Sequence, residues 1–175
     1  MQDTDNLWVE REKINPTEGL PFEVFEWISS MVPIANVDLL ILNNKNEILL
    51  SWRDDEYFGK GWHLPGGCIR FKETLQERIQ KTAESEIGTK VITNYEPIAT
   101  REVIVGKEQD MPIKRAHHIA ILYECHLPDG FEISNEGKEE QMAGYLKWFS
   151  EIPENILQVH EVYFDVFKKY HFMTD

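Results

Sequence analysis

Acidic residues near a glycine-rich turn are the part of this sequence best suited to metal chemistry. A turn is predicted at residues 65–67 (Pro-Gly-Gly), because proline fixes φ and glycine adopts backbone angles closed to other residues. Glu73, Glu84 and Glu86 follow this turn, and oxygen atoms are the ligands that Mg²⁺ prefers. Glu84 and Glu86 lie about 160° apart around a helix. These two side chains therefore do not serve the same metal ion.

A helix that ends near residue 88 is predicted to position Glu86. It begins near Lys72, and its apolar side consists of residues that recur every four positions. These residues are Leu75, Ile79, Ala83 and Ile87. Thr82, Ser85 and Glu86 share an arc of roughly 100° beside this apolar side. Gly88 stands where a helix commonly ends with a left-handed residue.

This stretch resembles the Nudix hydrolases, whose box reads G-x5-E-x7-R-E-U-x-E-E-x-G-U, where U is a bulky aliphatic residue. Four positions match outright: Gly67, Glu73, Glu86 and Gly88. Lys81 keeps the charge of the box arginine, and the Trp-x-Leu-Pro-Gly-Gly lead-in is typical. Thr82 and Ser85 stand where the family has two metal-binding glutamates. The resemblance implies an α+β domain with the Nudix fold, an α/β/α sandwich around a mixed central sheet.

One branch of the family, the GDP-mannose mannosyl hydrolases, loses the same two glutamates. It also carries an early aspartate and arginine, which Asp38 and Arg53 match. This resemblance implies one Mg²⁺ ion, with Mn²⁺ as the substitute, bound by the Glu86 carboxylate, the Gly66 carbonyl and Gln141. It further implies cleavage of the sugar C–O bond in a nucleoside-diphosphate sugar, which releases the sugar and a nucleoside diphosphate.

The general base is left open by the sequence. Met142 stands where the branch has a histidine, and methionine cannot take a proton. Glu140, or Glu139, is the expected replacement, since a carboxylate near a metal-held water can accept a proton. The competing interpretation is that this loop is only a solvated acidic turn.

Five side chains are expected to contact the substrate. They are Asp38, Arg53, Arg70, Lys81 and His118. Arg53 is expected to have a catalytic role as well, as the best placed phosphate partner. Structural alternatives remain: Asp38 can satisfy a buried backbone or arginine group, and Lys81 can be a surface residue. Glu73 is expected to steady the helix start and not to bind metal.

Length and composition favour one domain over residues 1–175, with residues 1–19 as a polar N-terminal arm. The net charge of −13 repels polyphosphate backbones, so no nucleic-acid partner is expected. No apolar run suits a membrane span, and two cysteines without metal spacing favour a cytoplasmic setting. The resemblance implies a homodimer.

The remaining elements follow from apolar patterns. A helix is predicted at 21–32, with Phe22, Phe25 and Trp27 in the core. Strands are predicted at 37–42, 47–53, 90–105 with a break at 94–97, 116–125 and 145–150. A polar loop is predicted at 106–115, and a terminal helix at about 155–170. His117 and His118 point to opposite faces of their strand, so one of them should face the cleft.

Three functional hypotheses are compatible with these patterns. The first is a Mg²⁺-dependent nucleotide-sugar hydrolase that cleaves the C–O bond. The second is a Nudix pyrophosphohydrolase that cleaves the diphosphate P–O bond, although Thr82 and Ser85 replace carboxylates that this chemistry generally uses. The third is a Nudix module that binds nucleotide sugars without catalysis, which Met142 in place of the base favours.

Overall fold

The computed structural model describes residues 11–55, 58–104 and 117–174. Its helices are α1 (Phe22–Ser29), α2 (Leu75–Glu86), a 3₁₀ helix (Gln158–Tyr163) and α3 (Phe164–Lys169). Its strands are β1 (Ile34–Leu42), β2 (Ile48–Asp55), β3 (Gly59–His63), β4 (Gly66–Cys68), β5 (Pro97–Ile104), β6 (His117–His126) and β7 (Leu146–Phe149). The predicted loop at 106–115 and the first ten residues of the predicted arm lie outside the described residues. None of the described helices has the length and apolar character needed to cross a membrane.

The described strands form one mixed sheet in the order β3-β2-β1-β6-β5. β1 and β6 run parallel, whereas the other pairs are antiparallel. β4 pairs with the first half of β1, so that Asp38 lies opposite Gly66 in the register. β7 pairs with the first half of β2. This topology brings two residues that are far apart in the sequence, Asp38 and Gly66, to the same place in the sheet.

Side chains from β1 alternate between two hydrophobic cores, one on each face of the sheet. Leu39 and Ile41 pack in one core with Ile79 and Ala83 of α2. Leu40 packs in the other core with the residues of the terminal helices, including Tyr163, Val166 and Phe167. Because successive side chains of a strand point to opposite faces, one strand contributes to both layers. The result is the α/β/α sandwich with a mixed sheet that the resemblance to the Nudix hydrolases implied.

Helix α2 begins later than its apolar pattern suggested. Lys72 has a φ of +61°, so the helix cannot start there. The Thr74 hydroxyl instead accepts a hydrogen bond from the Glu77 N–H at 3.2 Å, and the Glu77 carboxylate accepts one from the Thr74 N–H at 2.8 Å. This capping box fixes the first helical residue as Leu75. Leu75 is exposed, so the buried apolar side of α2 starts at Ile79.

Three further predictions from the apolar pattern were wrong. The terminal segment is a 3₁₀ helix followed by the short helix α3, not one continuous helix. The predicted turn at 65–67 overlaps a short strand, β4 (Gly66–Cys68). Phe22 and Trp27 are 51% and 55% exposed instead of buried. Phe25 and Ser29, four residues apart, form the inward side of α1, which leaves Trp27 on its outer side.

Candidate active site

Two adjoining cavities lie at the edge where β1, β2 and β4 meet. The first, which we call the histidine cavity, has a volume of about 230 Å³, and its polar wall includes Asn36, Asp38, Arg53, His63, His118 and His160. The second, the Glu86 cavity, is lined by Arg53, Asp55, His63, Ser85, Glu86 and Lys138, among others. Arg53 and His63 belong to both walls. A ligand that spans the two cavities would therefore pass Arg53 and His63.

Glu86 occupies the last turn of α2 and faces β4. Its Oε1 accepts a hydrogen bond from the Gly66 N–H at 3.2 Å, and its Oε2 lies 3.4 Å from Nε2 of His63. The carboxylate side chain is 24% exposed, so solvent and ligands can reach it. Two residues of the predicted metal site, Glu86 and Gly66, are thus neighbours.

The donor atoms near Glu86 fit a single divalent cation. Within the described ranges, no three His, Cys, Asp or Glu side chains are grouped to hold a metal. One carboxylate with an adjacent imidazole therefore leaves the other positions to backbone oxygens, water or substrate, as is usual for ions that keep several waters. Glu86 is the carboxylate on which such an ion would depend.

Close approach of β4 to its neighbours depends on two glycines. A Cβ atom at position 66 would lie 2.6 Å from Asp38 Oδ1, and one at position 67 would lie 2.6 Å from Thr82 Oγ1. Only glycine avoids both contacts, because all other residues carry a Cβ. The Pro-Gly-Gly segment is therefore more than a turn, because its two glycines allow β4 to pack closely against both Asp38 and α2.

Asp38 is a buried carboxylate in the wall of the histidine cavity. Its Oδ2 accepts a hydrogen bond from the Tyr163 hydroxyl at 2.8 Å, and its Oδ1 accepts one from Asn36 Nδ2 at 2.7 Å. Burial raises the pKa of Asp38 to about 6, although these two hydrogen bonds act in the opposite direction. The expected backbone or arginine partners are replaced by Asn36 and Tyr163, and the carboxylate still faces the cavity.

Arg53 is held between the two cavities by contacts with Asp55 of β2 and with Phe58, which follows that strand. Its Nε lies 2.8 Å from Asp55 Oδ2, and its guanidinium carbon lies 5.1 Å from the centre of the Phe58 ring. A guanidinium that is fixed in this way keeps N–H groups available for bidentate contact with phosphate oxygens. Its position fits the predicted phosphate contact.

Both histidines at the start of β6 line the histidine cavity, whereas strand alternation predicted that one would. His117 Nε2 lies 3.1 Å from Glu102 Oε1. Burial, together with the nearby His117 and Arg53, lowers the pKa of His118 below its usual value. His118 therefore presents a neutral ring to the cavity at neutral pH.

Sequence reasoning missed two histidines of the site, His63 and His160. His160 Nε2 accepts a hydrogen bond from the Leu64 N–H at 3.2 Å, so its proton is on Nδ1. Nδ1 is buried and has no hydrogen-bond partner among the described residues. Burial lowers the pKa of His160 well below its usual value, so the ring stays neutral. His160 is a single histidine in a predicted amphipathic helix, and nothing in that pattern indicates a donor in the site. His63 stands at the unspecified position x of Trp-x-Leu-Pro-Gly-Gly, so the motif did not indicate it either.

Four predicted site residues do not line either cavity. Glu140 and Gln141 are exposed, and Glu140 Oε1 lies 2.6 Å from Lys147 Nζ. Lys138, from the same loop, lines the Glu86 cavity instead. Arg70 is exposed, and Lys81 Nζ lies 3.0 Å from Glu73 Oε1. The structure therefore brings Asp38, Arg53, Gly66, Glu86 and His118 together, and it places Glu140, Gln141, Arg70 and Lys81 outside that group.

Glu73 holds the loop before α2, as predicted. Its carboxylate accepts hydrogen bonds from Arg78 at 2.7 Å through both Nε and Nη2, and from the Arg70 N–H at 3.0 Å. Burial raises its pKa, but these bonds and the one from Lys81 outweigh that effect and lower the pKa to about 2. Glu73 is thus a structural anchor for α2 and the segment that precedes it.

We expect Glu73→Gln to lower the free energy of unfolding by about 3 kcal/mol at pH 7, because it leaves the buried Arg78 guanidinium without a charged partner. The folded pKa of Glu73 is below its unfolded value of 4.5, so this stabilisation is present above pH 4.5 and is lost as the pH falls to about 2. Urea unfolding at several pH values measures the difference from the wild type. A difference that did not shrink in acid would contradict the role of the Glu73 charge.

Comparison with known proteins agrees with this fold. A model of the NUDIX domain family matches residues 32–166. The low-salt glycan biosynthesis protein Agl8 of Haloferax volcanii is 31% identical over 114 residues, which cover 65% of this chain and 72% of Agl8.

Solved structures show the same architecture at low identity. A MutT protein from Methanosarcina mazei superposes with a TM-score of 0.58 at 20% identity, over 81% of this chain and 95% of that protein. A possible asymmetric diadenosine tetraphosphate hydrolase from Jonesia denitrificans superposes with a TM-score of 0.61 at 13% identity, over 83% and 99%. The family match covers most of the chain, and the sheet and both helical layers agree with it. The chain belongs to the Nudix hydrolase family.

Proposed function

We propose that this Nudix hydrolase acts on a nucleoside-diphosphate sugar of the GDP-mannose type and releases the sugar and a nucleoside diphosphate. The observation that carries this proposal is that α2 offers one carboxylate, Glu86, to the cavity. Thr82 is buried, and the Ser85 hydroxyl donates to the Thr82 carbonyl at 3.0 Å. A relative that is named for glycan biosynthesis supports a sugar-related substrate.

The metal in this proposal is Mg²⁺ or Mn²⁺, at Glu86 and the Gly66 carbonyl. Such an ion neutralises the charge of the diphosphate and of the departing nucleoside diphosphate. Arg53, which reaches both cavities, is placed to contact the diphosphate oxygens and to stabilise the leaving group. Lys138, which lines the Glu86 cavity, is also positively charged and therefore favours a negatively charged substrate.

The histidine cavity is the proposed site of the uncharged part of the substrate. Asp38 accepts hydrogen bonds, and the Nδ1–H of His160 is a buried donor that finds no acceptor among the described residues. A buried donor of this kind is costly unless a ligand or water accepts from it. Hydroxyl groups of a sugar, or the edge of a nucleobase, supply both the donors and the acceptors that this wall requires. His118 offers a third polar contact in the same cavity.

Glu140 remains the proposed general base and Gln141 the proposed third metal ligand. Both would have to reach the Glu86 cavity through a rearrangement of their loop. The contact that holds Glu140 outside is an exposed ion pair with Lys147, and such pairs contribute roughly 0–1 kcal/mol. Breaking this ion pair on substrate binding is therefore inexpensive. Arg70 and Lys81 stay in the proposal as outer contacts for the substrate.

Product analysis tests the proposed bond. The purified protein is incubated with Mg²⁺ or Mn²⁺ and GDP-mannose, GDP-glucose or other nucleotide sugars in ¹⁸O-labelled water. We expect free sugar that carries the label, together with an unlabelled nucleoside diphosphate. Label in phosphate, with two monophosphates as products, would support the P–O pyrophosphohydrolase instead.

The third hypothesis, a binding module without catalysis, gains support from the placement of Glu140 outside the cavities. Calorimetry that showed nucleotide-sugar binding, with no turnover under any of these conditions, would select it.

The homodimer and the cytoplasmic location also remain proposals. Light scattering of the purified chain tests the homodimer.

A further inference from the structure

His63 is oriented so that its ring nitrogen Nε2 faces the Glu86 carboxylate. Its Nδ1 lies 2.8 Å from the Ser51 carbonyl oxygen, which can only accept, so Nδ1 carries the proton of the neutral ring. Its Nε2 lies 3.4 Å from Glu86 Oε2, and the His63 side chain is 9% exposed. In the neutral ring Nε2 and Oε2 both present lone pairs, and a cation bound by both atoms makes their approach favourable. An imidazolium that donates to Oε2 is the competing state, and only the metal-bound state gives ¹⁴N coupling to Mn²⁺.

Only one of the two Glu86 oxygens is available to bind a cation. Oε1 accepts from the Gly66 N–H, so Oε2 is the atom that remains available beside His63. Nitrogen and oxygen ligands lie about 2.0–2.2 Å from a bound transition-metal ion, so two adjacent ligands of one ion are separated by roughly 3.0–3.5 Å. The observed separation of 3.4 Å falls in this interval.

We propose that His63 Nε2 is a ligand of the divalent ion at Glu86, and that the site therefore prefers a transition-metal ion such as Mn²⁺ to Mg²⁺. This inference rests on the proposed function only in that both place an ion at Glu86. Imidazole suits first-row transition metals, whereas Mg²⁺ prefers oxygen ligands. The Ser51 carbonyl acts as the outer acceptor that fixes the ring and its tautomer, an arrangement that is usual for metal-binding histidines.

The chain contains a matched control for this arrangement. His126 Nδ1 lies 3.1 Å from the Leu42 carbonyl oxygen, and His126 Nε2 lies 3.3 Å from Glu124 Oε1. The two contacts resemble those of His63, but the His126 side chain is 47% exposed and lines neither cavity. Metal binding that depends on any histidine and glutamate pair would respond to both histidines. Binding at the Glu86 cavity would respond only to His63.

Metal titration of the substrate-free, full-length protein tests the proposal. His63→Asn keeps an amide N–H near the Nδ1 position for the Ser51 carbonyl and removes Nε2. We expect this variant to bind Mn²⁺ about tenfold more weakly or worse, to change its Mg²⁺ affinity little, and to leave Mn²⁺ binding intact when the same change is made at His126. Calorimetry and the electron paramagnetic resonance of free Mn²⁺ measure both affinities. Equal Mn²⁺ affinity in His63→Asn and the wild type would overturn the proposal.

A second measurement needs no substitution. Pulsed electron paramagnetic resonance of Mn²⁺ bound to the wild type should show coupling to an imidazole ¹⁴N nucleus. A bound ion without this coupling, or a wild type that binds no Mn²⁺, would also overturn the proposal. Imidazole coupling in a protein that hydrolyses no nucleotide sugar would uphold the ligand and reject the proposed substrate, so the two conclusions can fail separately.

Discussion

Glu86→Gln is expected to lower kcat/KM for the nucleotide-sugar substrate at least about 100-fold, which corresponds to ~2.7 kcal/mol of transition-state stabilisation. The amide that replaces the carboxylate carries no charge, so it binds a divalent ion poorly. Its nitrogen would also face either the Gly66 N–H or His63, which now contact the two carboxylate oxygens. Steady-state kinetics at saturating metal, together with metal titration of the substrate-free variant, measure both effects.

Glu84→Gln is the matched control for Glu86→Gln. Glu84 lies two residues earlier in α2, is exposed, and approaches only Lys90, at 3.9 Å, among the ion pairs of the described residues. It loses the same charge from the same helix, so we expect a kcat/KM close to that of the wild type. Equal losses in the two variants would mean that the net charge of α2, and not a metal at Glu86, determines activity.

Asp38→Asn is expected to change how stability depends on pH. The folded pKa of Asp38, about 6, is above its unfolded value of 3.8, because burial disfavours the charged form. Between these values the folded state binds more protons than the unfolded state, so the free energy of unfolding falls as the pH rises from about 4 to about 6. The total loss is about 3 kcal/mol, from two pKa units at 1.36 kcal/mol each. Asn carries no charge, so the variant should lack this loss.

The measurement is the difference in unfolding free energy between Asp38→Asn and the wild type at pH 4, 5, 6 and 7. We expect it to change by about 3 kcal/mol in favour of the variant over this range. Tyr163→Phe is the complementary variant, because it removes a hydrogen bond that lowers the pKa of Asp38. Its stability should fall over a range that extends to higher pH. A pH-independent difference for Asp38→Asn would show that this carboxylate is not held at a raised pKa.

Asp38 lowers the stability of the fold at neutral pH, so its presence is better explained by a role in the site than by a role in folding. Asp38 lies in the first half of β1, where an apolar side chain would be compatible with the surrounding core, yet it faces a cavity with Asn36 and His160. Buried titratable groups with shifted pKa values cluster at functional sites. If Asp38→Asn gains stability at pH 7 but loses affinity for the substrate, Asp38 serves binding at the expense of stability.

The sequence by itself determined the layers of this protein and the position of Glu86. The continuous apolar run of β1, the period-two residues of β2 and the period-four residues from Ile79 to Ile87 indicate which faces are buried, because burial requires apolar side chains at the spacing of the element. The glycines at positions 67 and 88 and the glutamates at 73 and 86 matched a family box. These features depend on residues close together in the chain, which is why they could be predicted.

Only the tertiary structure decided which polar groups share the site. Glu86 meets His63 and Gly66 because β3, β4 and the end of α2 converge, and Asp38 meets Tyr163 across 125 positions of the chain. The tautomers of His63 and His160 follow from single backbone groups, the Ser51 carbonyl and the Leu64 N–H, that no sequence pattern specifies. Glu140 lies in the expected loop, but it lines neither cavity and forms an ion pair with Lys147. Hydrogen bonds are directional and short in range, so these partners are fixed only when distant segments have packed together.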